Sequence, residues 1–166
     1  MKATTLLERQ HRNLQQLCEA VERGSASMRE SLLPQLAGDL MAHLAVEDEL
    51  FYPAILQLFG EVGWPGEDRM RQRHEHAAKS IEQALEATFE GAEFERAILD
   101  LRNVIELHAR EQEETVFPRV ESALDVEASR ELARAMMSLY HSKVEAGYSR
   151  APRRVASLDV REIAAE

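Results

Sequence analysis

Apolar side chains return every three to four residues along most of this chain, a period that predicts a succession of amphipathic helices rather than strands. The first is expected to open at Thr5 and Glu8, which have the spacing of a capping box, and to carry Leu7, Leu14, Leu17 and Val21 on one face until Arg23-Gly24-Ser25 ends it. A second should run from about Ser27 to about Phe59 with Leu36, Leu40, His43, Glu47, Leu50 and Ala54 aligned, Pro34 marking its start or a kink. Gly60 to Gly66, containing Gly63-Trp64-Pro65-Gly66, reads as a loop. A third helix follows from about Glu67 to Phe89 through Met70, His74, Ala77, Ile81 and Leu85. After Glu90-Gly91 a fourth turns Leu101, Ile105, His108, Gln112 and Val116 inward, and a fifth, from about Val126 to Tyr148, is amphipathic through Leu132, Met136, Leu139 and Val144. A helical domain is therefore expected over 1–148, with four core helices over about 4–123, a fifth over about 126–148, and a tail over 149–166.

One histidine interrupts the apolar stripe on each of the first four helices. Two of them open a repeated segment, His43-Leu-Ala-Val-Glu47-Asp-Glu-Leu-Phe-Tyr-Pro53 and His108-Ala-Arg-Glu-Gln112-Glu-Glu-Thr-Val-Phe-Pro118, in which histidine stands ten residues before proline and an aromatic just before it. His11 and His74 precede the two copies by 43 − 11 = 32 and 108 − 74 = 34 residues. A duplicated helical hairpin explains both intervals, and four such helices can enclose a metal centre.

Composition agrees with an all-α class: Leu, Ala, Glu and Arg dominate and aromatics make up 5%. The length of 166 residues suits one domain with a real core. A net charge of −10 argues against general affinity for nucleic acid or anionic membrane, and the one basic stretch, Arg150 to Arg154, is short. The single cysteine, Cys18, cannot form an intrachain disulfide. The charged opening residues leave no secretory apolar core, and no run approaches a membrane span, so a soluble cytoplasmic protein is the expectation.

Helix geometry brings these residues to one place. Positions i and i+4 share a face, so His43 and Glu47 reach one point in the core. The carboxylate can bridge two cations and neutralise part of their charge. Buried without a partner, such a set would cost about 1–3 kcal/mol for each unsatisfied group, and a metal removes that cost. Imidazole and carboxylate without thiolate suit iron or manganese, with zinc also open. Ferritin-like carboxylate bundles need two Glu-x-x-His pairs, and the chain has one, Glu8 to His11.

The segments His11-Arg-Asn-Leu, His43 to Pro53, His74-Glu-His-Ala-Ala-Lys-Ser-Ile81 and His108 to Pro118 together resemble the hemerythrin-like, or HHE cation-binding, family, over about residues 4 to 123. The resemblance implies an antiparallel up-down four-helix bundle, here with an additional C-terminal helix, around two non-haem iron ions bridged by carboxylate and an oxo or hydroxo group. It implies His11, His43, Glu47, His74 and His108 as metal ligands. The second carboxylate departs from the pattern, because Gln112 stands where the first copy has Glu47. Glu113, five residues after His108, is the preferred alternative to Gln112, with Glu111 third. Oxygen carriers have a further histidine four residues before the one matching His74, where this chain has Met70. That loss would leave an open coordination position.

The remaining candidates have plainer readings. His76 and His141 are expected in solvent or structural roles, Asp48, Glu49, Glu111 and Glu114 on a solvated face, Cys18 packed inward near the site, and Met136 and Met137 as packing residues. Leu14, Leu40, Leu50, Ile81 and Ile105 are expected to wall the site from water. The resemblance implies binding of dioxygen or a related small molecule, in carriage, sensing or iron binding. An enzyme or repair protein acting on peroxide or nitric oxide, and a metal-independent helical interaction module, are the alternatives.

Overall fold

The apolar stripes close on one another as an antiparallel up-and-down bundle in the computed structural model, which describes residues 1–63 and 66–148, the side chains of 61–63 and 67 excepted. Trp64, Pro65 and the expected tail over 149–166 lie outside the described residues. Among the described residues there is no strand, and no helix is long and apolar enough to cross a membrane.

The first helix, α1 (Ala3–Arg23), starts earlier than the capping-box spacing suggested. Lys2 holds its N-cap position, and the neighbouring Thr4 hydroxyl donates to Glu121 Oε1 at 2.6 Å, tying α1 to the far end of the fourth core helix. Ser25 caps α2 (Ala26–Val46) by accepting the Met28 N–H, and Pro34 lies inside α2 without ending it. A wide π-turn over Glu47–Phe51 joins α2 to α3 (Tyr52–Gly63). Gly60, at φ 68°, breaks the helical geometry within α3, a conformation open to a residue without Cβ. The third core helix is α4 (Glu67–Glu86). The fourth consists of α5 (Ala92–Glu111), a second π-turn over Gln112–Val116, and α6 (Phe117–Ala123). The fifth, α7 (Val126–Ala146), is capped by Asp125, which accepts the N–H groups of Glu127 and Ala128. It packs against α2 and α1 through Ala133 and Met136, whereas Val144, expected on that face, is exposed.

The two π-turns fall at the same register of the sequence repeat, and proline accounts for both. Pro53 and Pro118 lack an N–H, and each ring crowds the carbonyl four residues back, Glu49 and Glu114. Widening the turn relieves this, so the amides of Tyr52 and Phe117 bond five residues back, to the carbonyls of Glu47 and Gln112. The extra residue shifts the inward phase from Leu50, which is half-buried, to Phe51 and Tyr52, which are buried.

The core is two apolar clusters with a polar layer between them. Leu14, Leu40, Ala77 and Ile105 belong to one cluster, Leu7, Val46, Met70 and Val116 to the other, and each core helix carries its histidine between its two members. At the end of the first cluster Arg29 fastens three chain segments. Its guanidinium donates to the carbonyls of Val21 (3.2 Å), Glu22 (2.8 Å) and Phe89, pairs with Glu95 and lies 4.8 Å from the centre of the Phe94 ring. Arg29→Ala should therefore lower unfolding free energy by about 2 kcal/mol, since it strips donors from partly buried carbonyls. Glu95→Gln, which removes only a half-exposed partner, should cost at most about 0.5 kcal/mol. Urea denaturation of the two variants distinguishes these values.

Candidate metal centre

The centre of the polar layer is the carboxylate of Glu47, completely buried at the first residue of the first π-turn. Ligand atoms of His11, His43, Glu47 and His108 all lie within 4.8 Å of one another, a grouping able to hold a metal ion. The two carboxylate oxygens face different partners. Oε1 looks toward Nε2 of His43 at 3.3 Å and of His11 at 3.8 Å. Oε2 lies 2.9 Å from Nε2 of His74 and accepts the Tyr52 hydroxyl at 2.7 Å. His108 Nε2 reaches both, at 3.4 Å and 3.1 Å.

Outer partners fix the rings. The Nδ1–H of His11 donates to Glu113 Oε1, that of His43 to Gln10 Oε1 and that of His74 to Asp48 Oδ1, each at 2.9 Å. In His11 and His43 an Nδ1–H so committed turns the Nε2 lone pair toward Glu47. The buried Nε2 atoms of His11 and His43, Nδ1 of His108 and Oε1 of Gln112 have no hydrogen-bond partner. Lone pairs pointing at a carboxylate repel it, and a cation between them reverses the sign of the interaction.

The hairpin duplication extends to these contacts. Asp48 and Glu113 each stand five residues after a repeat histidine, and each bonds Nδ1 of the histidine on the first helix of the other hairpin. The aromatic before each proline behaves alike: Tyr52 stacks on His74 at 5.4 Å and Phe117 on His11 at 5.9 Å. The halves differ where Glu47 and Tyr52 of the first copy become Gln112 and Phe117. Gln112 is completely buried and donates from Nε2 to the Tyr52 hydroxyl at 2.9 Å, while the side chain of Glu113 is 31% exposed and turned to the outer nitrogen of His11.

Sequence reasoning had no place for three contributors. Gln10 carries no signal in the chain, since only the packing of α1 on α2 brings it to His43. Tyr52 was legible as an aromatic, but its hydroxyl reaches the site through the phase shift of the π-turn. Asp48, expected in solvent, is half-exposed and bonded to His74, and Glu111, also expected there, pairs with Arg69 and Arg73. His76 and His141 are exposed, and Cys18 is buried in the apolar cluster beside the Ile98 carbonyl. Burial pushes the Cys18 thiol up to about 12, so it is held as an unreactive thiol.

Charge states follow from these surroundings. Burial alone would raise the Glu47 carboxyl, but the histidines packed around it, with the charged His74 among them, hold it well below the carboxylate range. Burial lowers His43 and His108, which are neutral and available as donors. Burial also opposes charge on His74, yet its bonds to Asp48 and Glu47 outweigh this and lift it to about 9. Without a metal, Glu47 thus has His74 as its counter-charge. Because His74 is raised above the ordinary histidine value of 6.5, its contribution to folding is complete below that value and is lost as pH rises through about 9. Metal-free protein should lose stability over this interval, and Asp48→Asn should flatten the loss. Equal pH slopes for the two proteins in chemical denaturation would contradict the assignment.

A small cavity adjoins the centre, about 10 Å³, lined by the four histidines with Leu14, Leu40, Leu44, Arg73, Ala77, Val104 and Ile105. Ile81 and Leu50, expected among the walls, lie elsewhere, in the interior of one cluster and at the edge of the other. The space matches one water-sized sphere.

Comparison with known proteins is consistent with this geometry. The family model described as Hemerythrin HHE cation binding domain matches residues 2–120. A crystal structure of a hemerythrin HHE cation binding domain-containing protein from Mycobacterium kansasii superposes with a TM-score of 0.75 at 19% identity, over 88% of this chain and 89% of that one. A search among curated proteins finds no match.

Proposed function

We propose a function from a plain premise: the chain belongs to the hemerythrin HHE cation-binding family. It holds two non-haem iron ions and presents them to dioxygen or a related small molecule. The observation that carries this reading is the division of Glu47, whose Oε1 faces the unpartnered Nε2 atoms of His11 and His43 while Oε2 faces His74 and Tyr52. One ion would be held by His11, His43, His108 and Oε1, the other by Oε2 and His74, with the Tyr52 oxygen and Gln112 beside it. Glu113 and Asp48 act one step out, orienting His11 and His74.

When bound, a reduced iron pair supplies the electrons that dioxygen chemistry requires. The chain's own residues supply the rest. Outer hydrogen bonds accepted by Glu113, Gln10 and Asp48 hold three imidazoles in one orientation, and Leu14, Leu40, Leu44 and Ile105 exclude bulk water. The cavity's size favours a ligand of a few atoms over a bulky one. Burial and the nearby Glu47 push the Tyr52 phenol well above its ordinary range, so in metal-free protein it keeps its proton and donates to Glu47.

A second reading, turnover of peroxide or nitric oxide, draws on Met70. This residue is buried one helical turn before His74 and offers no nitrogen, so α4 supplies a single imidazole and leaves the second ion less enclosed. Steady-state consumption of hydrogen peroxide by iron-loaded protein would favour it over carriage.

Anaerobic purification after iron-supplemented expression should give about two irons per chain by elemental analysis. Visible bands should appear on exposure to air and reverse under argon. His43→Ala with His108→Ala should abolish both iron uptake and the bands. Gln10→Leu, which removes one outer partner, should weaken iron affinity by about 10–100-fold. A colourless protein with zinc or no metal, despite adequate iron, would overturn the reading.

A further inference from the structure

The cavity beside the centre comes nearest to solvent at one residue. Of its lining residues every one is buried except Arg73, whose side chain is 14% exposed. The aliphatic and imidazole walls belong to packed helix faces that cannot swing aside without disturbing the core. Arg73 is the one long, flexible side chain among them, and it lies over the seam between α4 and α5.

Duplication explains why the opening is on this side. Arg73 immediately precedes His74 as Gln10 precedes His11. Gln10 is buried and accepts the His43 Nδ1–H, which seals the seam between α1 and α2. A guanidinium has no acceptor to offer the equivalent nitrogen, Nδ1 of His108, and that atom is unpartnered. Arg73 turns outward instead, donating from Nη1 to the Leu107 carbonyl at 3.2 Å and pairing with the carboxylate of Glu111. Glu111 is also held by the exposed Arg69, Nε to Oε1 at 3.0 Å. When Arg73 leaves, Glu111 keeps a cationic partner, so opening strands no carboxylate. Glu111 and Arg69 border a second cavity of about 80 Å³ with Met70.

We propose that Arg73, latched to Glu111, is the gate through which a small ligand reaches the metal centre. This rests on the di-iron reading above. A gate raises the barrier between two states without favouring either, so loosening it speeds arrival and departure equally. The test is stopped-flow binding of azide to the iron-loaded protein, with nitric oxide as a neutral probe and metal content counted on the same samples.

Glu111→Gln, which weakens the latch and keeps the arginine, should raise the association and dissociation rates of azide together by about five-fold, with Kd unchanged within about two-fold. Arg73→Ala should raise both further and should act on nitric oxide as on azide. Unchanged rates in both variants at full iron content would overturn the gate. A slower association of azide alone would overturn it too, because Arg73 would then be an attractor for anions. Absence of iron from the unsubstituted protein would instead overturn the di-iron reading, and the gate with it.

Discussion

A single carboxylate organises this bundle. Glu47 is fully buried and ionised, in an interior where an unpaired charge costs several kcal/mol. Four imidazoles, a phenol and an amide converge around it from all four core helices, and each ring turned toward it is braced from outside where a partner exists. The two apolar clusters above and below bury this layer, and burial is what makes its electrostatics strong. Stability and chemistry therefore pull in opposite directions. The apolar halves support a polar layer that is incompletely satisfied without a cation, which is a common signature of a site built for binding.

The duplication gives the site its symmetry and its departures from symmetry give it direction. Both halves use a π-turn before proline, an aromatic stacked on the other half's histidine and an acid five residues after the repeat histidine. Replacement of Glu47 by Gln112 and of Tyr52 by Phe117 in the second copy concentrates the oxygen donors on one side. Replacement of Gln10 by Arg73 turns a sealed seam into one closed by a movable side chain. A symmetric hairpin pair thus becomes a centre with a closed end and an accessible end.

The helical period made the elements and the inward histidines legible, because each histidine sits in phase with leucines that could face only the core. The repeat made the family legible, since the spacing of histidine to proline is independent of tertiary contacts. Phase after each repeat histidine was not legible: an α-helical period aims Leu50 inward, while the proline-driven π-turn substitutes Phe51 and brings the Tyr52 hydroxyl to Glu47. The outer partners were hidden for a different reason. Gln10, Asp48 and Glu113 lie beside histidines or acids on their own helices but bond across to others, a relation fixed by how helices pack. Glu113 looked like a ligand from its offset alone, and it is the match of Asp48 across the repeat that accounts for its bond to His11 Nδ1.

Diffraction from iron-loaded crystals at the iron absorption edge tests the central assignment most directly. Two anomalous peaks, one between Glu47 Oε1 and the histidines His11, His43 and His108, the other between Oε2, His74 and Tyr52, are the predicted result. A single peak, or iron bound away from a Glu47 carboxylate that stays paired with His74, would contradict it.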